Sequence, residues 1–414
     1  MSVFNNFKSI SIALLLVAIP SGVSASLLNA DLSSIALNSS IAKTVASVSS
    51  KQGQWFTYQV EMEPNNGMPC CLSDNKASIC MLDKRVNSWS SNGDRDKDSK
   101  TLDIYFKMDG QAPSDLLYAG SECSVDADNR QVYAIDGVTQ EQSISFLDGL
   151  VGSDHIENQS MHVLSKAVGG IAMHSGKNAL AMLEKYADDA SKQLRHESIF
   201  WLGQARNKLG YESLMVIIDD EGRAEKDRTH SVFALSVNSY SGASNILVDY
   251  AKSHPNEKIQ SESLFWLAQN HKDKASDVIQ HVLQNSEKLQ VRKKAVFSLA
   301  QLKTSWSWEQ LVVTAKSSDD RDIQKEAIFW LSQDEDNNPV SVLLDLIQGE
   351  NPRSIKDKAV FSLSQLAAEQ STPALLSLIK TSNEKLVKKK ALFWLGQSED
   401  PRALDYLEQT LTSS

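Results

Sequence analysis

LQVRKKAVFSLAQ, residues 289–301, decides the fold, because the chain keeps returning to it. The same frame reads SIFWLGQ at 198–204, SVFALSV at 231–237, SLFWLAQ at 263–269, AIFWLSQ at 327–333, AVFSLSQ at 359–365 and ALFWLGQ at 391–397. Its phenylalanines, Phe200, Phe233, Phe265, Phe297, Phe329, Phe361 and Phe393, fall 32 residues apart after a first interval of 33. A period of this length is the mark of a solenoid of small supersecondary units. A degenerate copy precedes them, with Lys166-Ala167-Val168, Ile171 and Leu180–Tyr186, and with Gly169 where the Phe belongs. Terminal units of solenoids are often atypical because they cap the stack. Counting that copy, about eight repeats fill residues 161–414.

Within one repeat, residues 289–320, helix A carries Ala295, Val296, Phe297 and Leu299, and helix B carries Leu311, Val312 and Ala315. Adjacent apolar positions cover most of a helix circumference, so helix A is expected to be buried on several sides. Each Phe is then expected in the core, contributing about 2–3 kcal/mol.

A second period runs inside the first. The residue after each Phe is Trp201, Ala234, Trp266, Ser298, Trp330, Ser362 and Trp394, large and small in alternation. Three residues before each Phe stand Glu197, His230, Glu262, Lys294, Glu326, Lys358 and Lys390. Interdigitating layers would bury each Trp over the small residue of an adjoining repeat; the functional alternative is a row of exposed aromatic hot spots. Glu262 would meet Lys294, and Glu326 would meet Lys358, one helix spacing apart. The Gln column (Gln204, Gln269, Gln301, Gln333, Gln365, Gln397) reads as closing the orphan carbonyls of helix A. On helix B, Lys252, Gln284, Lys316, Gln348 and Lys380 share the 64-residue beat and are the candidate partner-binding row.

LQVRKKAVFSL at 289–299 and LVKKKALFWL at 386–395 resemble the HEAT and HEAT-like repeats. The resemblance covers residues 161–414. It implies a mainly α, right-handed α-α solenoid, with the helix-B row on the concave face. Together with PCC at 69–71 and SEDPRAL at 398–404, the chain looks like exported bacterial HEAT-repeat proteins. Their function is uncharacterised, so the resemblance transfers no activity. HEAT-like repeats also occur in bilin-chromophore lyases, but this chain has no catalytic motif onto which that chemistry maps.

Ahead of the repeats the texture differs. Residues 1–25 read as an export signal: Lys8, an apolar run from Ile10 to Ile19, Pro20 and Gly22 as breakers, then Val23-Ser24-Ala25 as the cleavage site. The run is too short to span a bilayer. A periplasmic or secreted protein, cleaved after Ala25 and without a membrane span, is the expectation. Residues 26–50, rich in Ser and Ala, read as a flexible leader.

Residues 51–160 read as a small β-rich domain. Phe56, Tyr58, Val60 and Met62 alternate with mostly polar neighbours, as do Leu102, Ile104, Phe106 and Met108. Asp109-Gly110 and Asp136-Gly137 are turn dipeptides. All four cysteines, Cys70, Cys71, Cys80 and Cys123, lie here. In an exported chain an even count reads as disulfides. Adjacent Cys70 and Cys71 cannot pair without strain, so they are expected to split between Cys80 and Cys123, in either order.

With 42 basic and 52 acidic residues the chain is net −10, which argues against a nucleic-acid partner. None of the eight histidines forms a metal-binding spacing, and no nucleophile, phosphate or dinucleotide motif occurs. The leading reading is a protein-interaction scaffold for a protein or peptide, with no cofactor and no catalytic residue. Two other classes stay open: an enzyme with an unfamiliar site between β domain and solenoid, and a structural envelope protein.

Overall fold

The computed structural model describes residues 27–48, 53–63, 72–73, 76–77, 79–83, 100–110, 112–151, 161–334 and 336–412. Residues 1–25, read above as an export signal, and Cys70, Cys71 and residues 91–99 lie outside the described residues. The protein is mainly helical, with a mixed sheet toward its N-terminus, and divides into two compact units, one ending at Trp201 and one beginning at Leu202.

The first unit holds β1 (Leu27–Ala36), α1 (Ile41–Val48), β2 (Gln54–Glu61), β3 (Leu72–Ser73), β4 (Lys76–Ala77) and β5 (Cys80–Met81). Strands β6 (Thr101–Asp109), β7 (Ala112–Gly120) and β8 (Val125–Asp136) follow. The sheet runs β1-β8-β2-β6-β7, with β5 also on β8 and β3–β4 a separate pair. Alternation dictates its faces. Phe56 lies opposite Phe106, Tyr58 opposite Ile104 and Val60 opposite Leu102, so one face is aromatic and aliphatic throughout. Phe56 and Phe106 stack at 5.5 Å, and Phe146 of α2 (Gln140–Val151) covers them at 4.8 Å from Phe106. The other face is buried as well, through Trp55, Tyr105, Leu117, Val125 and Val132. Cys80 and Cys123 sit in this second cluster, and no described cysteine is free.

Residues 26–50 are not simply a leader. β1 pairs parallel with β8 from Leu27↔Val125 to Ala36↔Asp136, and α1 buries Ile41 and Val45. β1 looks featureless because it is an edge strand, so its side chains are mostly half-buried or exposed. A bulge between Leu28 and Ala30 puts Asn29 at φ 49°, a conformation Asn tolerates better than most residues.

α3 (Met161–Met173) and α4 (Lys177–Ala187) form the degenerate first helix pair, and α5 (Lys192–Ala205) begins the next. Gly169 stands where the other repeats carry Phe because a Cβ there would lie 2.3 Å from Tyr118 Oη and 2.7 Å from Trp201 Cζ2. Strand β7 thus supplies, through Tyr118, the ring that this repeat lacks; it meets Trp201 at 6.2 Å.

The second unit continues with α6 (Asn207–Asp219), α7 (Glu225–Ser236), α8 (Ser241–Ser253), α9 (Glu257–Asn270) and α10 (Lys272–Asn285). Then come α11 (Leu289–Leu302), α12 (Ser305–Ser317), α13 (Arg321–Leu331) and α14 (Val340–Gln348). Helices α15 (Arg353–Ser364), α16 (Ala368–Thr381), α17 (Lys385–Gly396) and α18 (Pro401–Thr412) complete it. From α5 onward odd numbers are helix A and even numbers helix B. Side chains start several of them: Asn256 accepts from the amides of Lys258 and Ile259, Asp320 from those of Asp322 and Ile323. Orphan carbonyls ending helix B are closed from the next helix A, by Arg228 on Ile218, Gln260 on Ala251 and Lys252, and Gln324 on Lys316. Two members of the Gln column, Gln333 and Gln365, instead bond the serine beside them.

Burial corrects the reading of the motif. Ala295, Val296 and Leu299 are wholly buried, but Phe297 is only half-buried, as are Phe233, Phe265, Phe329 and Phe361. In the copies from Phe200 to Phe361 the residue before the Phe points at the core, and the Phe, about 100° further round, lies at the edge of the sealed stripe. No described helix is long and apolar enough to cross a membrane.

Candidate functional site

The half-buried rings do not stand apart. Trp266 lies 4.6 Å from Phe233 of the preceding repeat and 4.8 Å from its own Phe265. Phe265 stacks on Phe297 at 5.7 Å, and Trp330 touches Phe297 at 4.8 Å and Phe329 at 5.2 Å. Trp394 repeats the arrangement with Phe361 at 5.3 Å and Phe393 at 5.0 Å. Most of these pairs are tilted or edge-on, the geometries the ring quadrupole favours, each contributing about 0.5–1.5 kcal/mol beyond burial.

Lysines lie against the same rings. Lys294 Nζ lies 4.3 Å from the Phe265 centroid and 4.9 Å from that of Phe297. Lys358 does the same between Phe329 and Phe361, at 4.5 and 4.8 Å. Burial among the rings lowers the pKa of both ammonium groups, against the opposing pull of Glu262 on Lys294 and of Glu326 on Lys358. The carboxylates make their nearest contacts elsewhere: Glu262 with Lys258 at 3.8 Å, and Glu326 with the indole Nε1–H of Trp330 at 2.9 Å. So the expected Glu–Lys contact is an electrostatic neighbourhood rather than a close pair. Lys390, which breaks the alternation, turns back to Asp357 at 2.9 Å.

The 64-residue beat now has a physical meaning. In the Glu326/Trp330 repeat the acid holds the indole, and in the Lys/Ser repeats Lys294 and Lys358 each lie against two phenyl rings. Ser298 and Ser362 are buried as expected, but the indoles of Trp266, Trp330 and Trp394 are half-buried, each keeping part of its surface in solvent. The result is a ribbon of aromatic surface with embedded cations along the helix-A row. Aromatic rings held rigidly and left partly exposed are the usual anchors of protein interfaces.

The row chosen from sequence lies on helix B. Gln284, Lys316, Gln348 and Lys380 are exposed and Lys252 is half-buried, one per repeat, and no single pocket gathers them. Lys316 pairs with Asp345 at 3.0 Å, and Lys380 lies 5.8 Å above the Tyr406 ring. Only Gln284 enters a described cleft, about 190 Å³ between α10 and α12, beside Trp306 and Val313. From sequence the Trp column ranks as packing ahead of a row of exposed anchors, because the Trp sits inside an apolar pentad that reads as core. The ribbon's signal was nonetheless present, in the coupling of the Glu/Lys column to the Trp/Ser column.

Two polar centres lie in the first unit. Ser143 Oγ is 2.8 Å from Tyr58 Oη and 2.7 Å from His174 Nε2, while His174 Nδ1 donates to the Gly170 carbonyl at 2.7 Å. All three side chains are fully buried, so this serine–histidine contact ties β2, α2 and the end of α3 together and faces no solvent. A groove of about 670 Å³ opens nearby, lined by Gln59, Glu61, Thr139, Gln140, Ser175 and Lys177. Its polar groups bond one another, Gln140 with Glu61 at 3.3 Å and with Ser175, while Glu63 accepts from the Gly176 amide at the start of α4. No group of metal-ligating side chains occurs among the described residues.

The family model for HEAT repeats matches residues 340–414, the segment that holds α14 to α18. A comparison with curated proteins found no match. Among solved structures the chain is similar to human deoxyhypusine hydroxylase, at 18% identity and TM-score 0.25 over 61% of this chain and 96% of that one. It is also similar to a phycocyanin lyase complex from Nostoc, at 16% identity and TM-score 0.28 over 56% and 94%. A Kap95p complex with RanGDP matches at 13% identity and TM-score 0.34, over 66% of this chain and 44% of that one. At these scores none of them bears on what this chain does.

Proposed function

We propose that this protein is an exported interaction scaffold that holds a protein or peptide partner along the helix-A ribbon. The observation that carries the reading is the run of half-exposed rings from Phe233 to Trp394, with Lys294 and Lys358 set into it. Such a surface offers apolar anchors and cations at fixed spacing, which suits an extended or helical polypeptide better than a small substrate. The net charge of −10 speaks against a nucleic acid. Export rests on the leader at residues 1–25 and two disulfides on the even cysteine count; the burial of Cys80 beside Cys123, neither a free thiol, supports them. The exposed helix-B row, Lys252 to Lys380, is the second candidate surface.

Purification of the full chain from intact cells tests the choice of surface. A Lys294→Gln, Lys358→Gln variant is expected to lose its partner, and a Lys252→Gln, Lys316→Gln variant to keep it. The reverse pattern would move the site to helix B. The polar groove at Glu61 and Gln140 favours a second reading, a small polar ligand in the first unit, which a Glu61→Gln change would abolish without touching the ribbon.

A further inference from the structure

The hydrogen bonds of the polar groove in the first unit have a direction. Gln59 Nε2 donates to Asp103 Oδ1 at 2.9 Å, and Gln140 Nε2 donates to Glu61 Oε2 at 3.3 Å and to Ser175 Oγ. Ser175 Oγ donates in turn to Glu61 Oε2 at 3.4 Å, and Thr101 Oγ1 to Ser121 Oγ at 2.7 Å. A carboxylate only accepts, so Asp103 and Glu61 fix which end of each amide is the nitrogen. The donors of this wall are thus turned into the protein. The carbonyl oxygen of Gln59 and the second oxygen of Glu61 are left as acceptors, two residues apart on β2 and so on one face of the strand. Glu141, exposed in the first turn of α2, adds a second negative charge to the lining.

The wall made by α4 has the opposite character. Lys177 and Asn178 are exposed there, and Lys177 is the basic residue of the lining. The Gly176 amide at the helix start already takes the Glu63 carboxylate at 3.2 Å, so an incoming carboxylate falls to Lys177 and the Asn178 amide. One wall therefore accepts and carries negative charge, while the other donates and carries positive charge. The complement is a ligand with an ammonium at one end and a carboxylate at the other. We infer that the groove takes a small zwitterion of the amino-acid or dipeptide class, its ammonium on Gln59 and Glu61 and its carboxylate at Lys177. A volume of about 670 Å³ has room for either. The inference rests on the reading of this groove as a small-ligand site and gives that ligand its chemistry.

Calorimetric titration of the full chain with each common L-amino acid and with dialanine reads the binding. At least one of them should bind and raise the melting temperature as its concentration rises. Its N-acetyl derivative, which lacks the ammonium, and its decarboxylated amine, which lacks the carboxylate, should each bind at least roughly ten-fold more weakly. Glu61→Gln should abolish binding, and Lys177→Met should weaken the zwitterion by roughly ten-fold while leaving the amine unchanged. Both side chains are exposed, so circular dichroism should match that of the unaltered chain. A zwitterion bound no better than its N-acetyl derivative overturns the inference, as does binding indifferent to Lys177→Met. Glucose serves as a neutral probe. If it binds through Glu61 and no zwitterion does, the inference falls and the small-ligand reading stands; no binding by any probe sinks both.

Discussion

Gly169 is the residue at which the two textures of the chain meet. Its missing side chain leaves room for Tyr118 of the sheet and Trp201 of the following helix, both closer than 3 Å to where a Cβ would be. Gly169→Ala should therefore force two packed rings apart, at about 1–3 kcal/mol, visible as a lower melting temperature of the first unit. The sequence displayed the gap in the Phe column but not its cause, since nothing local to Gly169 announces a tyrosine 51 residues earlier in the chain. Asp320 is legible more directly, as an N-cap ahead of a helix. Burial would raise its pKa, but hydrogen bonds from the amides of Asp322 and Ile323 and from Arg292, at 2.5 Å, outweigh it and hold the carboxyl below its usual value. A depressed carboxylate contributes stability above its unfolded pKa and loses it as pH falls through the folded one. Asp320→Ala should thus cost about 1 kcal/mol in urea unfolding at neutral pH, and the deficit should shrink below about pH 4. A deficit that persists in acid would mean that the carboxylate's charge is not what starts the helix.

At the scale of the helix, the repeat period marked a helix A at each Phe from Phe200 to Phe393 but misplaced the boundary between core and surface. Periodicity shows which positions are apolar. It does not show how far the next helix wraps around them, and that depends on the approach of neighbouring backbones, as at Gly203 and Ala234. The ring–cation contacts follow from that approach, and they make a measurable coupling. In a double-mutant cycle between Lys294→Met and Phe265→Leu, a coupling of about 0.5–1 kcal/mol is expected for a half-exposed cation over a ring. Additive effects would show that Lys294 is only a charge near Glu262. The helix-B row has no comparable mesh: Lys316 reaches an aspartate, while Gln284 reaches a shallow cleft.

Across the whole molecule, fold class was legible from residue 161 onward because each repeat carries its own pattern. The sheet was legible only where strands alternate, in β2 and β6. β1 escaped because it is an edge strand whose pairing with β8 spans nearly one hundred residues, from Leu27 to Val125 at one end of the ladder. The functional surface was legible as a column of letters and not as a face. The account rests on that face, and photo-crosslinking in intact cells tests it most directly. A benzophenone side chain placed at Phe297 or Phe361 should capture one discrete partner, and the same group at Lys316 or Gln348 should not. Equal capture from both faces, or capture from helix B alone, would contradict it.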